Sequence, residues 1–196
     1  MGDPVGTRPL FRRALLVVVA FLLVGCSGSE GEDAEQATGT RAGATTGERD
    51  APSKREFIAQ GDAICADVQV DAAELARRAQ ELQAQSDELP RQEFLARAAD
   101  FWDDQIRLAE RFLERLEGLG APPGDEPQID EFLQSIEDGV ATAHEIQNTL
   151  SSGEDVPQVL VAEYGQTVAR GNTLARDYGF QVCGRASPTA DSGSSA

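Results

Sequence analysis

SKREFIAQGDAICADVQVDAAELARRAQEL, residues 53–82, decides the fold. Phe57/Ile58, Gly61, Ile64/Cys65, Val68, Ala72, Leu75, Ala79 and Leu82 step by threes and fours, which places them on one face of a helix. Ser53 and Glu56 frame its start as a capping box: the serine oxygen accepts from the Glu56 amide, and the glutamate reaches back to the Ser53 N–H. The predicted stop is Leu89-Pro90, because the residue before a proline is pushed out of helical geometry, giving a helix of about 34 residues.

Working outward, the same period repeats three times. Pro90 suits the first position of a second helix. Phe94, Ala98, Phe101/Trp102, Ile106, Ala109, Phe112/Leu113 and Leu116 form its stripe, and Gly118 to Gly124 breaks it. Asp125 is placed to cap a third helix with Ile129, Phe132/Leu133, Ile136, Val140, Ala143 and Leu150 inward, ended by Ser151-Ser152-Gly153. A fourth is expected from near Asp155, about 24 residues long, with Val156, Leu160, Tyr164, Val168, Ala175 and Tyr178 inward and Gly179 as a left-handed cap. Gly165 and Gly171 weaken it by up to about 1 kcal/mol each relative to alanine. No strand-period run, GxGxxG or P-loop occurs. Four amphipathic helices with short connections imply an all-α, up-down-up-down four-helix bundle over residues 53–185.

The segment before that domain reads as targeting. Arg12-Arg13 precedes an apolar run from Ala14 to Val24, too short for the roughly 20 residues of a spanning helix but suited to a signal-peptide core. Leu23-Val24-Gly25-Cys26 resembles the lipobox of bacterial lipoproteins. The resemblance implies that residues 1–25 are removed as a signal peptide. It also implies that Leu23, Val24 and Gly25 are recognition positions, and that Cys26 carries a diacylglyceryl thioether as the first mature residue. Two acyl chains anchor stably, where one binds only reversibly. The expected location is therefore the cell membrane, lipid-anchored on its extracytoplasmic face, with the membrane itself a partner through Cys26.

Residues 26–52 follow as a predicted tether. From Ser27 to Pro52 there is no large apolar residue, so the segment cannot bury enough surface to offset its chain entropy and is expected to be disordered. The tail, residues 186–196, reads the same way. Of 196 residues, 17 are basic and 34 acidic. Asp3, Arg8, Arg12 and Arg13 lie before Cys26, so the chain from there on holds 14 basic against 33 acidic residues. That excess argues against nucleic acid, whose backbone demands clustered Lys and Arg.

Three cysteines and one histidine bound the chemistry. Exported chains favour disulfides, and with Cys26 lipidated the two remaining, Cys65 and Cys183, are expected to pair. In the predicted bundle the fourth helix descends to about the level of residue 64. Phe57 and Ile58 would then overhang, with Phe180 and Val182 available to cover them. His144 stands at heptad spacing from Glu137, but a di-metal bundle site wants two Glu-x-x-His motifs and position 141 is Ala. Asp100, Asp103, Asp104 and Glu110 spread around their helix and read as a solvated face. No metal, cofactor or catalytic residue is expected. Phe101, Trp102, Phe112 and Tyr164 are the candidates for lining a ligand cavity between helices.

Two ends of the domain, Ser53-Lys54-Arg55-Glu56-Phe57-Ile58 through Asp62-Ala63-Ile64-Cys65 and Tyr178-Gly179-Phe180-Gln181-Val182-Cys183-Gly184, are similar to a loosely defined group of uncharacterised helical lipoproteins and secreted proteins of high-GC actinobacteria. Lys54 is the sole lysine among the 17 basic residues, in keeping with that bias. The resemblance implies an envelope location and a paired-cysteine helical domain; it transfers no activity. The expected function is a non-enzymatic envelope module that binds a protein partner, with a carrier of a small apolar ligand as the alternative.

Overall fold

The structure, a computed structural model, describes residues 51–184. The expected signal peptide (residues 1–25), the expected tether up to residue 50, with Cys26, and the expected tail (residues 186–196) lie outside the described residues. Four helices make up the rest: α1 Lys54–Ala84, α2 Arg91–Glu117, α3 Glu126–Ser151 and α4 Gln158–Tyr178. Each packs against the next in sequence, which gives the up-down-up-down bundle. Among the described residues there is no strand, and no helix is long and apolar enough to cross a membrane.

The capping box forms as expected. Glu56 N–H donates to Ser53 Oγ at 3.4 Å and Ser53 N–H to Glu56 Oε2 at 2.9 Å. Ser53 Oγ–H also donates to Glu56 Oε2, at 2.6 Å, and this bond with the one from Ser53 N–H holds the Glu56 carboxyl below its ordinary range. By contrast, α1 stops at Ala84 rather than Leu89. From there Ser86 N–H donates to Gln83 O, and Glu88 and Leu89 to Gln85 O, a run of tight turns that draws Ser86 into the interior. Serine and aspartate at 86–87 compete with the helical ladder, so the chain leaves the helix before Pro90 requires it.

Pro157, not Asp155, sets the start of α4. Val156 precedes a proline, which disfavours helical geometry there, and the first helical residue is Gln158. Asp155 instead pairs with Arg91 at 3.1 Å. Asp125 precedes α3, but its side chain makes no cap bond. Its carboxylate accepts from the Tyr178 hydroxyl at 2.8 Å and lies 3.6 Å from Lys54 Nζ.

Antiparallel register between α1 and α2 is visible on the surface. Asp67 pairs with Arg115, Asp71 with Arg111 and Arg78 with Asp104, each α1 number rising as its α2 partner falls by the same step. Inside, the core divides in two. One cluster, with Leu75, Leu82, Phe94, Phe101, Trp102, Ile106, Ile146 and Leu150, fills the bundle's middle and one end. The other, with Phe57, Ile64, Leu116, Ile129, Phe132, Tyr178 and Phe180, fills the opposite end. Phe57 does not overhang; it is 1% exposed, with the rings of Tyr178 and Phe180 at 5.9 and 5.8 Å. Phe180 supplies cover, while Val182 stays outside the cluster.

Candidate functional site

The most constrained part of the molecule lies where the end of α4 meets the start of α1. Gly179, at φ +118°, takes the left-handed conformation that ends α4. Phe180 N–H then donates to Ala175 O and Gly179 N–H to Arg176 O, the two bonds of a Schellman turn. The turn aims Phe180 into the core, against Phe57, Phe132 and Tyr178.

Beyond Phe180 the chain runs along α1. Cys65 and Cys183 are joined in a disulfide, their Cα atoms 5.3 Å apart and 118 positions apart in sequence. The expected pairing is thus present. The three amides of residues 181–183 have no helical partner, and one side chain accepts from all of them. Asp62 takes bonds from Gln181 N–H at 2.9 Å, Val182 N–H at 2.7 Å and Cys183 N–H at 3.3 Å. Backbone amides leaving a helix must find acceptors, and an ionised carboxylate makes the stronger, charge-assisted kind of bond. Gly184 closes the segment against the backbone of Arg176; a Cβ placed on it would lie 2.7 Å from that residue's amide nitrogen.

The aromatic candidates do not gather as a set of four. Trp102 meets Tyr164 edge-on at 5.0 Å and Phe101 at 6.3 Å, so these three fill space with one another. Phe112 is half-buried against the other cluster. Burial pushes the Tyr164 hydroxyl well above its ordinary range. Tyr178 moves the same way, through burial first and then the Asp125 carboxylate that accepts a hydrogen bond from its hydroxyl. Gly171, on the buried side of α4, approaches α3: a Cβ there would lie 3.0 Å from Ser135 Oγ. Gly165 faces open space.

Asp103 and Asp104 pair with Arg107, and Asp104 also with Arg78. Its bond from Arg107, aided by Arg78, holds the Asp104 carboxyl below its ordinary range. Asp100 sits on the rim of a shallow cleft between α1 and α2, floored by Leu82 and Phe101. His144 is exposed, with Nε2 3.5 Å from Glu110. Among the described residues no group of three or more His, Cys, Asp or Glu side chains is arranged to hold a metal ion.

Charge is distributed unevenly. On α1 and α2, Asp67, Asp71, Glu74, Glu81, Glu93, Asp103 and Asp104 each lie beside an arginine. α3 holds Glu126, Asp130, Glu131, Glu137, Asp138 and Glu145, all exposed, and no lysine or arginine. Among the described residues only Glu131 of these has a cationic partner, Arg170 at 2.9 Å.

Comparison with protein-family models, with curated proteins and with solved structures yields no match.

What the molecule can do must therefore be read from its own surface. The described residues hold a closed apolar interior and an outer face of unneutralised carboxylates on α3. Sequence reasoning passed over Asp62 as a functional position. The usable signal was there: a carboxylate one helical turn before Cys65, and a chain leaving its helix at Gly179 toward Cys183 with amides that need acceptors.

Proposed function

We propose that the chain is an exported, lipid-anchored helical module that holds its bundle on the extracytoplasmic side of a membrane and docks a protein partner without catalysing a reaction. Three features support the reading. The leader ending in Leu23-Val24-Gly25-Cys26 has the form of a lipoprotein signal. A disulfide closing the domain suits an oxidising compartment. The third feature is the one that carries docking: among the described residues only Glu131 of the α3 carboxylates has a cationic partner, whereas seven of the thirteen on α1 and α2 lie beside an arginine. A partner with a cationic face would find its complement there, and charge complementarity raises association rates and fixes orientation.

The carrier alternative has less behind it, because Phe101, Trp102 and Tyr164 occupy the interior with each other. A photo-crosslinking residue at the exposed α3 position Ala141, compared with one at the exposed α1 position Ala73, tests the docking reading in the native membrane. A discrete adduct from position 141, absent from position 73 and lost on Glu137→Arg with Glu145→Arg, is the expected result. Adducts equal from both positions, or unaffected by charge reversal, would remove α3 as the docking face.

A further inference from the structure

The segment from Phe180 to Gly184 is held in three independent ways. Phe180 is 2% exposed among Phe57, Phe132 and Tyr178. Asp62 accepts from the three following amides. Only the third restraint, the Cys65–Cys183 bond, is covalent. The three act in sequence along the chain: the buried ring fixes where the segment leaves α4, and the carboxylate fixes its path over α1. With that path set, residue 183 arrives beside residue 65. Gly61, one residue before Asp62, leaves the space through which the ring passes.

We propose that Asp62 is the positioning residue of a two-stage latch: it docks residues 181–183 on α1 in the dithiol form of the protein, so that the Cys65–Cys183 bond opens and closes without the segment leaving its seat. A carboxylate is suited to this because it offers several acceptor sites at once. Bonds that backbone amides donate to its ionised form are roughly twice as strong as neutral ones. The chemistry of closure is ordinary thiol–disulfide exchange with an external disulfide, RSSR. Cys65 is buried and Cys183 only partly so, hence Cys183 reacts first. Its thiolate attacks RSSR, forms the mixed disulfide and releases one RSH. The Cys65 thiolate then displaces the second RS− from Cys183 Sγ, which leaves as RSH once protonated. Two thiols of the protein are oxidised, one RSSR is reduced to two RSH, and two protons pass to the products. Reduction by excess thiol is the reverse. In either direction Asp62 keeps the two sulfurs neighbours, which makes the latch sensitive to redox conditions in its rigidity rather than its shape.

Two measurements on the full chain in detergent decide the matter. The first removes the covalent bond with Cys65→Ser and Cys183→Ser and follows amide hydrogen exchange at residues 181–183. With Asp62 present these amides are expected to exchange at least tenfold more slowly than after Asp62→Asn is added, which leaves size but removes charge. Free exchange with Asp62 present would show that the disulfide alone seats the segment, and would overturn the proposal even if the Asp62→Asn protein fails to fold. The second measurement keeps both cysteines, replaces Cys26 with Ala so that only two thiols report, and equilibrates the chain in mixtures of reduced and oxidised glutathione. Asp62→Asn is expected to lower the effective concentration of the pair tenfold or more. Asp67→Asn, whose carboxylate faces Arg115 instead, is expected to change it less than twofold. An Asp62→Asn value within twofold of the unsubstituted chain would also overturn the proposal.

Discussion

Gly61→Ala is expected to change sign with its surroundings. In a helix interior, alanine is favoured over glycine by about 1 kcal/mol, so the substitution ought to stabilise α1. Position 61, however, faces Phe180: a Cβ would lie 2.4 Å from Cε1 and 3.1 Å from Cζ of that ring. The ring has nowhere to go, since Phe57, Phe132 and Tyr178 stand within 6 Å of its centroid. Overpacking costs about 1–3 kcal/mol, and so close an approach to a confined ring puts this case at about 2–3 kcal/mol, which outweighs the propensity gain and leaves a net loss of about 1–2 kcal/mol. Each kcal/mol moves the melting point of a domain this size by about 3–5 °C, so the loss is measurable by circular dichroism. Phe180→Ala alone should cost about 3–5 kcal/mol. Added to Phe180→Ala, the same glycine substitution now meets no ring and should raise stability by about 1 kcal/mol, a coupling of about 2–3 kcal/mol in a double-mutant cycle. Urea unfolding of the four oxidised proteins measures it. If Gly61→Ala shifts stability by the same amount in both backgrounds, Phe180 does not sit where it is described, and the account of the latch loses its base.

Cys26→Ala should leave the protein unprocessed, of higher mass and without lipid; a product of unchanged length still partitioning into detergent would remove the lipobox reading. Reduction of Cys65–Cys183 should lower the melting point while leaving the helical signal below the transition, since opening a loop of this size removes about 5 kcal/mol of chain-entropy stabilisation; two free thiols counted in the denatured, unreduced domain would contradict the pairing. Tyr164 and Tyr178 should ionise later than free tyrosine when followed by ultraviolet absorbance. Because their folded-state values lie above the unfolded one, the unfolded chain loses these protons first. Their contribution is therefore fully present below about pH 10 and is lost as pH rises beyond it. Tyrosine titration at the free-residue position in the folded protein would refute this.

The bundle was legible because its information is local and repeated. Period, capping box and glycine stops all act within one or two turns, and each of the four helices carries several such marks. Where reading failed, the deciding contact was distant or the local rule was applied to the wrong residue. Pro157 was in plain view and fixes the start of α4. The early end of α1 rests on Ser86 and Asp87, whose competition with the helical ladder carries no mark in the apolar period. The level of Phe57 depends on where α4 ends against it. The cysteine pair followed from counting and from compartment. The carboxylate that steers it joins residues about 120 apart, and neither periodicity nor composition records such a bond. The aromatic residues show the opposite limit: helical spacing placed them inward, but whether rings enclose space or fill it is a matter of angle and distance.

The position of the disulfide has a mechanical consequence. Chain continues on both sides of the bundle, before Ser53 and after Gly184. A pull applied between those two strands takes the shortest covalent route, up α1 from Ser53 to Cys65, across the sulfur bridge and out through Gly184. Everything between Cys65 and Cys183, including all of α2, α3 and α4, hangs on that route as a slack branch and bears no tension. Under such a load the molecule can lengthen only by unravelling the first turns of α1. The surface that α3 displays would keep its shape while the ends are strained.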